Sequence, residues 1–180
     1  MHMFISRIAV SLFGLALASS AQAVTTVTGQ ISANLTLTAA CQVNGAGTGA
    51  GTGINFGTLS FGTATSLFTT ASGQVLSGSG GALSILCSSG TSPTVKVRAG
   101  TNDGQSAGGT RALADGSGNF VPYDLYSDSG HTTLLAIDDV ISLATSTGVA
   151  QTVNIYGKAV GKAGLPAGSY TDTVAVELAF

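Results

Sequence analysis

Six stretches of this chain carry residue types that could do chemistry, and each falls short of a reaction. Cys41 and Cys87 could form a disulfide, hold a metal or carry redox chemistry. A metal needs more ligands and a redox site needs C-x-x-C spacing, and both are missing. In an exported chain such a pair forms one disulfide. It would close a loop of about 46 residues and stabilise the fold by roughly 4 kcal/mol through chain entropy. His131, in a Ser-Gly-His-Thr turn, could serve a Ser-His-Asp triad, but no G-x-S-x-G elbow accompanies it. It reads as a solvated loop residue. Asp138 and Asp139 are adjacent. On a strand they face opposite sides, so they could not flank one bond as paired carboxylates. Asp115-Gly-Ser-Gly-Asn119 resembles a piece of a calcium loop without its ligand spacing or closing Glu, and reads as a hairpin turn. The glycines of Asn44 to Gly53 precede no Gly-Lys-Ser/Thr and no helix, so phosphate-loop readings fail and a flexible connector is expected. Asn34-Leu35-Thr36 matches a glycosylation acceptor but lies on an alternating segment, where it reads as the polar face. No enzyme, cofactor or metal is expected.

The elements that hold these residues follow from export and composition. Met1 to Arg7 is basic, Ile8 to Ala18 is apolar and Ala21-Gln22-Ala23 is an A-x-A site. Residues 1–23 are thus expected to be a signal peptide, with the mature chain starting at Val24. The apolar run is short for a bilayer, and no membrane insertion is expected. Of six basic residues Arg7 leaves with the leader, so five face eight acidic ones, a net charge of −3. Without a basic stripe, nucleic acid is not an expected partner. Abundant Gly, Ser, Thr, Val and Ala favour strands and tight turns, and the length suits one all-β domain. The tyrosines Tyr123, Tyr126, Tyr156 and Tyr170 are expected in the core or at its rim, and no carbohydrate platform is expected from a chain without Trp.

Period-two alternation locates the strands. In Val27 to Leu37 the positions Val27, Gly29, Ile31, Ala33, Leu35 and Leu37 face one way, with Thr28, Gln30, Ser32, Asn34 and Thr36 opposite. Eleven extended residues reach about 37 Å, roughly twice a typical strand. Ile54 with Phe56, then Leu59 with Phe61, slip phase at Gly57, which suggests a bulge or a change of sheet. Leu83, Ile85 and Cys87 form an inward face, and Cys41 is in phase with the first segment. Val95, Val97 and Ala99 share one face, with Lys96 and Arg98 on the other. Gly100 to Gly109 is a turn region, Val121, Tyr123 and Leu125 form a strand, and Leu134 to Leu143 supplies two short ones. Val153, Ile155 and Gly157 share a face, and so do Tyr170, Asp172, Val174, Val176, Leu178 and Phe180. Many short strands with regular turns indicate a β-sandwich or barrel.

Isolated sandwiches blunt their edges with charge, proline or bulges. Here the first segment begins apolar and uncharged, and the last strand runs apolar to Phe180. A body short of one strand beside the last would leave a groove that a neighbour's N-terminal segment fills by β-augmentation. Val27 and Ile31 would supply most of the buried surface and Ala33 less, while Gly29 passes where backbones crowd. Such a contact is head-to-tail and gives filaments. An ordinary long first strand of a monomer explains the same residues, and the two readings stay open on the residues alone.

The chain resembles the spore coat protein U-like domain and the major subunits of archaic chaperone–usher pili. The resemblance rests on Val27-Thr28-Gly29-Gln30 alternating to Cys41, Asn55-Phe56-Gly57, Leu83 to Cys87, Tyr123-Asp124-Leu125-Tyr126 with Asp128, Ile155-Tyr156-Gly157, and Pro166 to Val174 with Phe180. It implies an incomplete immunoglobulin-like β-sandwich lacking its last strand, completed by donor strand exchange. It implies a donor strand segment at 24–33 with Val27, Gly29, Ile31 and Ala33 as its face, and a pilin domain at 34–180 bridged by Cys41 and Cys87. The acceptor groove edge would include Val174, Val176, Leu178 and Phe180. The implied partners are copies of the chain itself in a head-to-tail polymer, a periplasmic chaperone and an outer-membrane usher. The implied location is the cell surface, as a pilus serving adhesion or biofilm formation. The alternatives are a spore or cell coat protein of the same fold, a monomeric secreted binding module and, last, an extracellular hydrolase.

Overall fold

The computed structural model describes residues 24–47 and 53–180. The leader expected at 1–23 lies outside the described residues. Residues 24–36 are the described part of the first of two units, and they hold no helix or strand and have exposed side chains. The second unit, from Leu37 to Phe180, holds every described strand.

The body opens with β1 (Cys41–Val43), β2 (Ala46–Gly47), β3 (Thr58–Leu59) and β4 (Thr70–Leu76). Then come β5 (Leu83–Cys87), β6 (Thr94–Gly100), β7 (Arg111–Ala114) and β8 (Phe120–Tyr126). β9 (Leu134–Leu135), β10 (Val140–Ser142), β11 (Gln151–Val153), β12 (Tyr156–Val160) and β13 (Val174–Ala179) complete the set. The sheets run β11-β5-β1-β2, β10-β6-β13 and β3-β4-β12-β8-β7, with β9 beside β8. Every pairing is antiparallel, and no described residue is helical. The fold is all-β.

The alternating faces meet in one core. Leu83, Ile85 and Cys87 of β5, Val95 and Val97 of β6, and Val121, Tyr123 and Leu125 of β8 are buried together with Val153, Ile155 and Ala159. Cys41 sits directly opposite Cys87 across β1 and β5, and the two form a disulfide with their Cα atoms 4.0 Å apart. One expected face breaks. Ala99 is exposed, because the register between β6 and β13 shifts: Val176 opposes Val97, whereas Val174 opposes Gly100. An extra residue in one strand makes a bulge and reverses the phase beyond it.

Asn44 to Gly53 is not simply a connector. Asn44 (φ 52°) and Gly45 (φ 82°) make the two-residue turn of the β1–β2 hairpin, in which Val43 opposes Ala46. Positive φ at both positions is what an Asn-Gly turn supplies. Gly57 (φ 134°) marks the phase slip, and its amide donates to Asn55 Oδ1 at 2.8 Å. The run through Val153 and Ile155 changes sheet: β11 pairs with β5, whereas β12 pairs with β4 and β8.

Candidate functional site

The residues with chemical potential are tied into structure. Asp138 pairs with Arg98 at 2.6 Å, and Asp139 Oδ2 accepts the Ala136 amide at 2.8 Å. The Asp115 carboxylate accepts the Asn119 side-chain amide at 2.7 Å and the Ser117 and Asn119 main-chain amides. Those donors hold it below the usual carboxylate range. His131 sits in the left-handed region (φ 54°) with its ring edge-on to Tyr126, centroids 5.1 Å apart. Its main-chain amide donates to the Asp128 carbonyl at 3.1 Å, and no described hydrogen bond joins its ring to a serine or an aspartate.

The distinctive surface is the edge formed by β13. This strand pairs with β6 alone among the described residues. Its core-facing side chains Val174, Val176 and Leu178 pack on the core yet stay half-buried, and Phe180 is 49% exposed. On β5, an internal strand, the corresponding positions are fully covered. The free edge reaches back before β13. Thr171 exchanges two backbone bonds with Ala114, and Thr173 accepts from Thr101, whereas Tyr170 and Asp172 make no described backbone bond.

Beside Tyr170 and Asp172 a cleft of about 960 Å³ opens. Residues 58–66 form one wall and residues 166–172 the other, with Leu113, Val121 and Ala159 as floor. Asp172 fixes the start of β13. Its Oδ2 accepts the Tyr123 hydroxyl at 2.7 Å, and its Oδ1 accepts the Thr101 amide at 3.0 Å and Asn102 Nδ2 at 3.2 Å. Burial and the neighbouring Asp172 carboxylate push the Tyr123 hydroxyl far above its ordinary value, so it stays a donor.

Taken by itself, residues 24–40 form no strand. Val27, Ile31, Leu35 and Leu37 are exposed, Ile31 at 98% and Leu37 at 83%. The first described backbone bond comes at Ala40, whose carbonyl accepts the Ser88 amide at 2.8 Å and whose amide donates to Ser88 Oγ at 3.0 Å. The segment therefore carries strand-like patterning without a strand partner among the described residues.

Sequence reasoning missed Arg111. Its side chain is fully buried, and its Nη atoms donate to the carbonyls of Leu135 at 3.1 Å and Arg98 at 3.2 Å. Nothing in the local pattern Thr-Arg-Ala-Leu announces a buried cation. It also missed β4, whose Thr-Ala-Ser-Gly-Gln has too little apolar weight to read as a strand.

No curated protein sequence matches the chain. A similar solved structure is the chaperone–tip adhesion subunit pre-assembly complex CsuC–CsuE, from archaic chaperone–usher Csu pili of Acinetobacter baumannii. The identity is 21% and the TM-score 0.49, over 81% of this chain. The match spans 40% of the length of that chain. The family model of the Spore Coat Protein U domain matches residues 27–177, and the chain belongs to that family.

Proposed function

We propose that this chain is a structural subunit of a surface pilus, assembled by a chaperone–usher pathway through donor strand exchange. Residues 1–23 would direct export and be removed. Residues 24–33 would be the donor segment, with Val27, Gly29, Ile31 and Ala33 facing inward, and 34–180 the acceptor domain. A periplasmic chaperone would cover the β13 edge until an outer-membrane usher exchanged it for the next subunit's donor. The fibre as a whole would serve attachment or biofilm formation, and the subunit would have no enzymatic role.

One observation carries this reading: the inward face of β13 is half-covered along an edge with no described strand beside it, in a chain whose N-terminal alternation pairs with no described strand. Filling the edge would bury Val27 and Ile31 against Val174, Val176 and Leu178. Each large apolar side chain contributes about 1.5–3 kcal/mol when fully buried. The new ladder would satisfy backbone groups that otherwise bond only to water.

The test is assembly in a periplasm that also expresses a chaperone and usher. Ile31→Asp would place an unpaired carboxylate in the groove, a costly burial. The expected result is normal subunit recovery with chaperone and no fibres by electron microscopy. Fibres of ordinary length from Ile31→Asp, or from a chain lacking residues 24–33, would overturn the donor assignment.

A further inference from the structure

We infer that the donor extends past Ala33 to Leu37, and that Leu35 and Leu37 fill the cleft ahead of the last strand of the next copy. This rests on the donor reading above and adds where the donor ends, which way it runs and what its last residues touch. Three observations carry it.

The first is where backbone pairing begins. Between Val24 and Ala39 the main chain makes no described hydrogen bond, and exposed apolar side chains continue through Leu35 and Leu37. A donor ending at Ala33 would leave two large leucines of the same face in water. The run from Val24 to Leu37 has no charged residue, so nothing in it resists burial.

The second is that the acceptor edge is longer than β13. Thr171 and Thr173 turn their backbone groups toward Ala114 and Thr101, leaving those of Tyr170 and Asp172 for a strand on the outer side. The positions in phase along this edge are Tyr170, Asp172, Val174, Val176, Leu178 and Phe180, six in number; the first five are half-buried and Phe180, past the end of β13, is 49% exposed. The donor face from Val27 to Leu37 also has six.

The third is polarity. Every described strand pair is antiparallel, and antiparallel ladders are slightly the more stable per residue. One antiparallel register pairs all six positions. Val27 lies by Phe180, Gly29 by Leu178, Ile31 by Val176 and Ala33 by Val174. Leu35 then lies by Asp172 and Leu37 by Tyr170, and both of those residues line the cleft. The glycine falls opposite Leu178, the bulkiest of the half-buried β13 residues, and the two leucines fall where Leu59, Phe61 and Phe68 line open space. The cleft is thus the far end of the same groove, and the second copy is its occupant.

The test uses the full chain co-expressed with chaperone and usher. Leu35→Ser with Leu37→Ser should leave chaperone-bound subunit at its normal level and lower fibre yield about tenfold or more, since two apolar burials are lost. Leu37→Cys with Tyr170→Cys should give a disulfide-linked ladder on a non-reducing gel, as directly opposed Cys41 and Cys87 bridge within the chain. A ladder from Val27→Cys with Tyr170→Cys instead would overturn the antiparallel register. Fibres that form without a ladder from Leu37→Cys with Tyr170→Cys would overturn the cleft assignment. Ile31→Asp separates the two readings. If it blocks fibres while the double serine variant assembles normally, the donor stands and its extension to Leu37 is wrong. If it does not block them, the donor reading itself fails.

Discussion

Asp172 shows how one side chain can set the start of an edge. Three donors converge on it, from β8 through Tyr123 and from the turn after β6 through Thr101 and Asn102. Tyr123→Phe deletes one of these bonds and keeps the packing of the ring, which stands edge-on to Phe61 at 5.7 Å. A hydrogen bond to a charged acceptor is worth about 1.5–3 kcal/mol, so denaturant unfolding should report a loss of that order. An unchanged midpoint would mean that Asp172 is held without the tyrosine. Arg111→Ala should cost more, roughly 3 kcal/mol, because two interior carbonyls lose charged donors. The exposed turn at Asp128 predicts a pH effect. The Thr133 amide first, then Thr132, donate to its carboxylate and hold it below its ordinary value. The folded state thus binds this proton less readily than the unfolded chain. The contribution is complete above the unfolded value and fades as pH falls through the folded one. Asp128→Asn should flatten the acid limb of thermal stability below about pH 4 and leave the neutral plateau's shape intact.

At the scale of elements, glycines let the cleft wall lie close against the sheet. A Cβ at Gly73 would strike the carbonyl oxygen of Ser60, and one at Gly161 that of Phe68. These are backbone atoms, which cannot swing aside as a side-chain end can. Gly73→Ala or Gly161→Ala should therefore lift residues 58–68 from β4 and β12 and raise protease cleavage there. Unaltered protection would show that the wall packs by its side chains alone. Cys41→Ser should cost about 2–5 kcal/mol and lower recovery from an oxidising periplasm. The strands that could be read from sequence are those whose alternation runs over Val, Ile, Leu and Tyr, such as β5, β8 and β13. The ones missed have other causes. β4 presents Ala71, Gly73 and Val75 inward, too little apolar mass to stand out. The β1–β2 hairpin hid in a glycine-rich run whose Asn44-Gly45 was its turn signal. Ala99 faced the wrong way because a bulge is a property of two strands in register, and one strand's pattern does not contain it. The edge residues Val174, Val176 and Leu178 were legible as an apolar face, but the cleft was not. It is made by residues 58–66 and 166–172, which share no pattern and meet only in the fold.

At the scale of the molecule, an acceptor that gains a strand must also gain stability, which gives a measurement independent of fibres. A ligand that binds only the folded state stabilises it by RT ln(1 + [L]/Kd), about 2.7 kcal/mol at a hundredfold excess over Kd. For a domain of this size each kcal/mol moves the melting temperature by about 2–4 °C, so saturation should raise it by roughly 5–11 °C. The acceptor is the chain lacking residues 24–39, released from its chaperone, and the probe is a peptide of residues 24–39. A peptide of residues 24–33 omits Leu35 and Leu37, so at equal concentration it should stabilise less. A scrambled peptide of the same composition keeps the hydropathy and loses the alternation, and should do nothing. Residues 24–39 have no charged side chain, so the contact would contain no side-chain ion pair and the shift should persist in high salt. Equal shifts from the two native peptides would place the end of the donor at Ala33. No shift from either, with the acceptor folded, would show that the open edge of β13 is not where this segment binds.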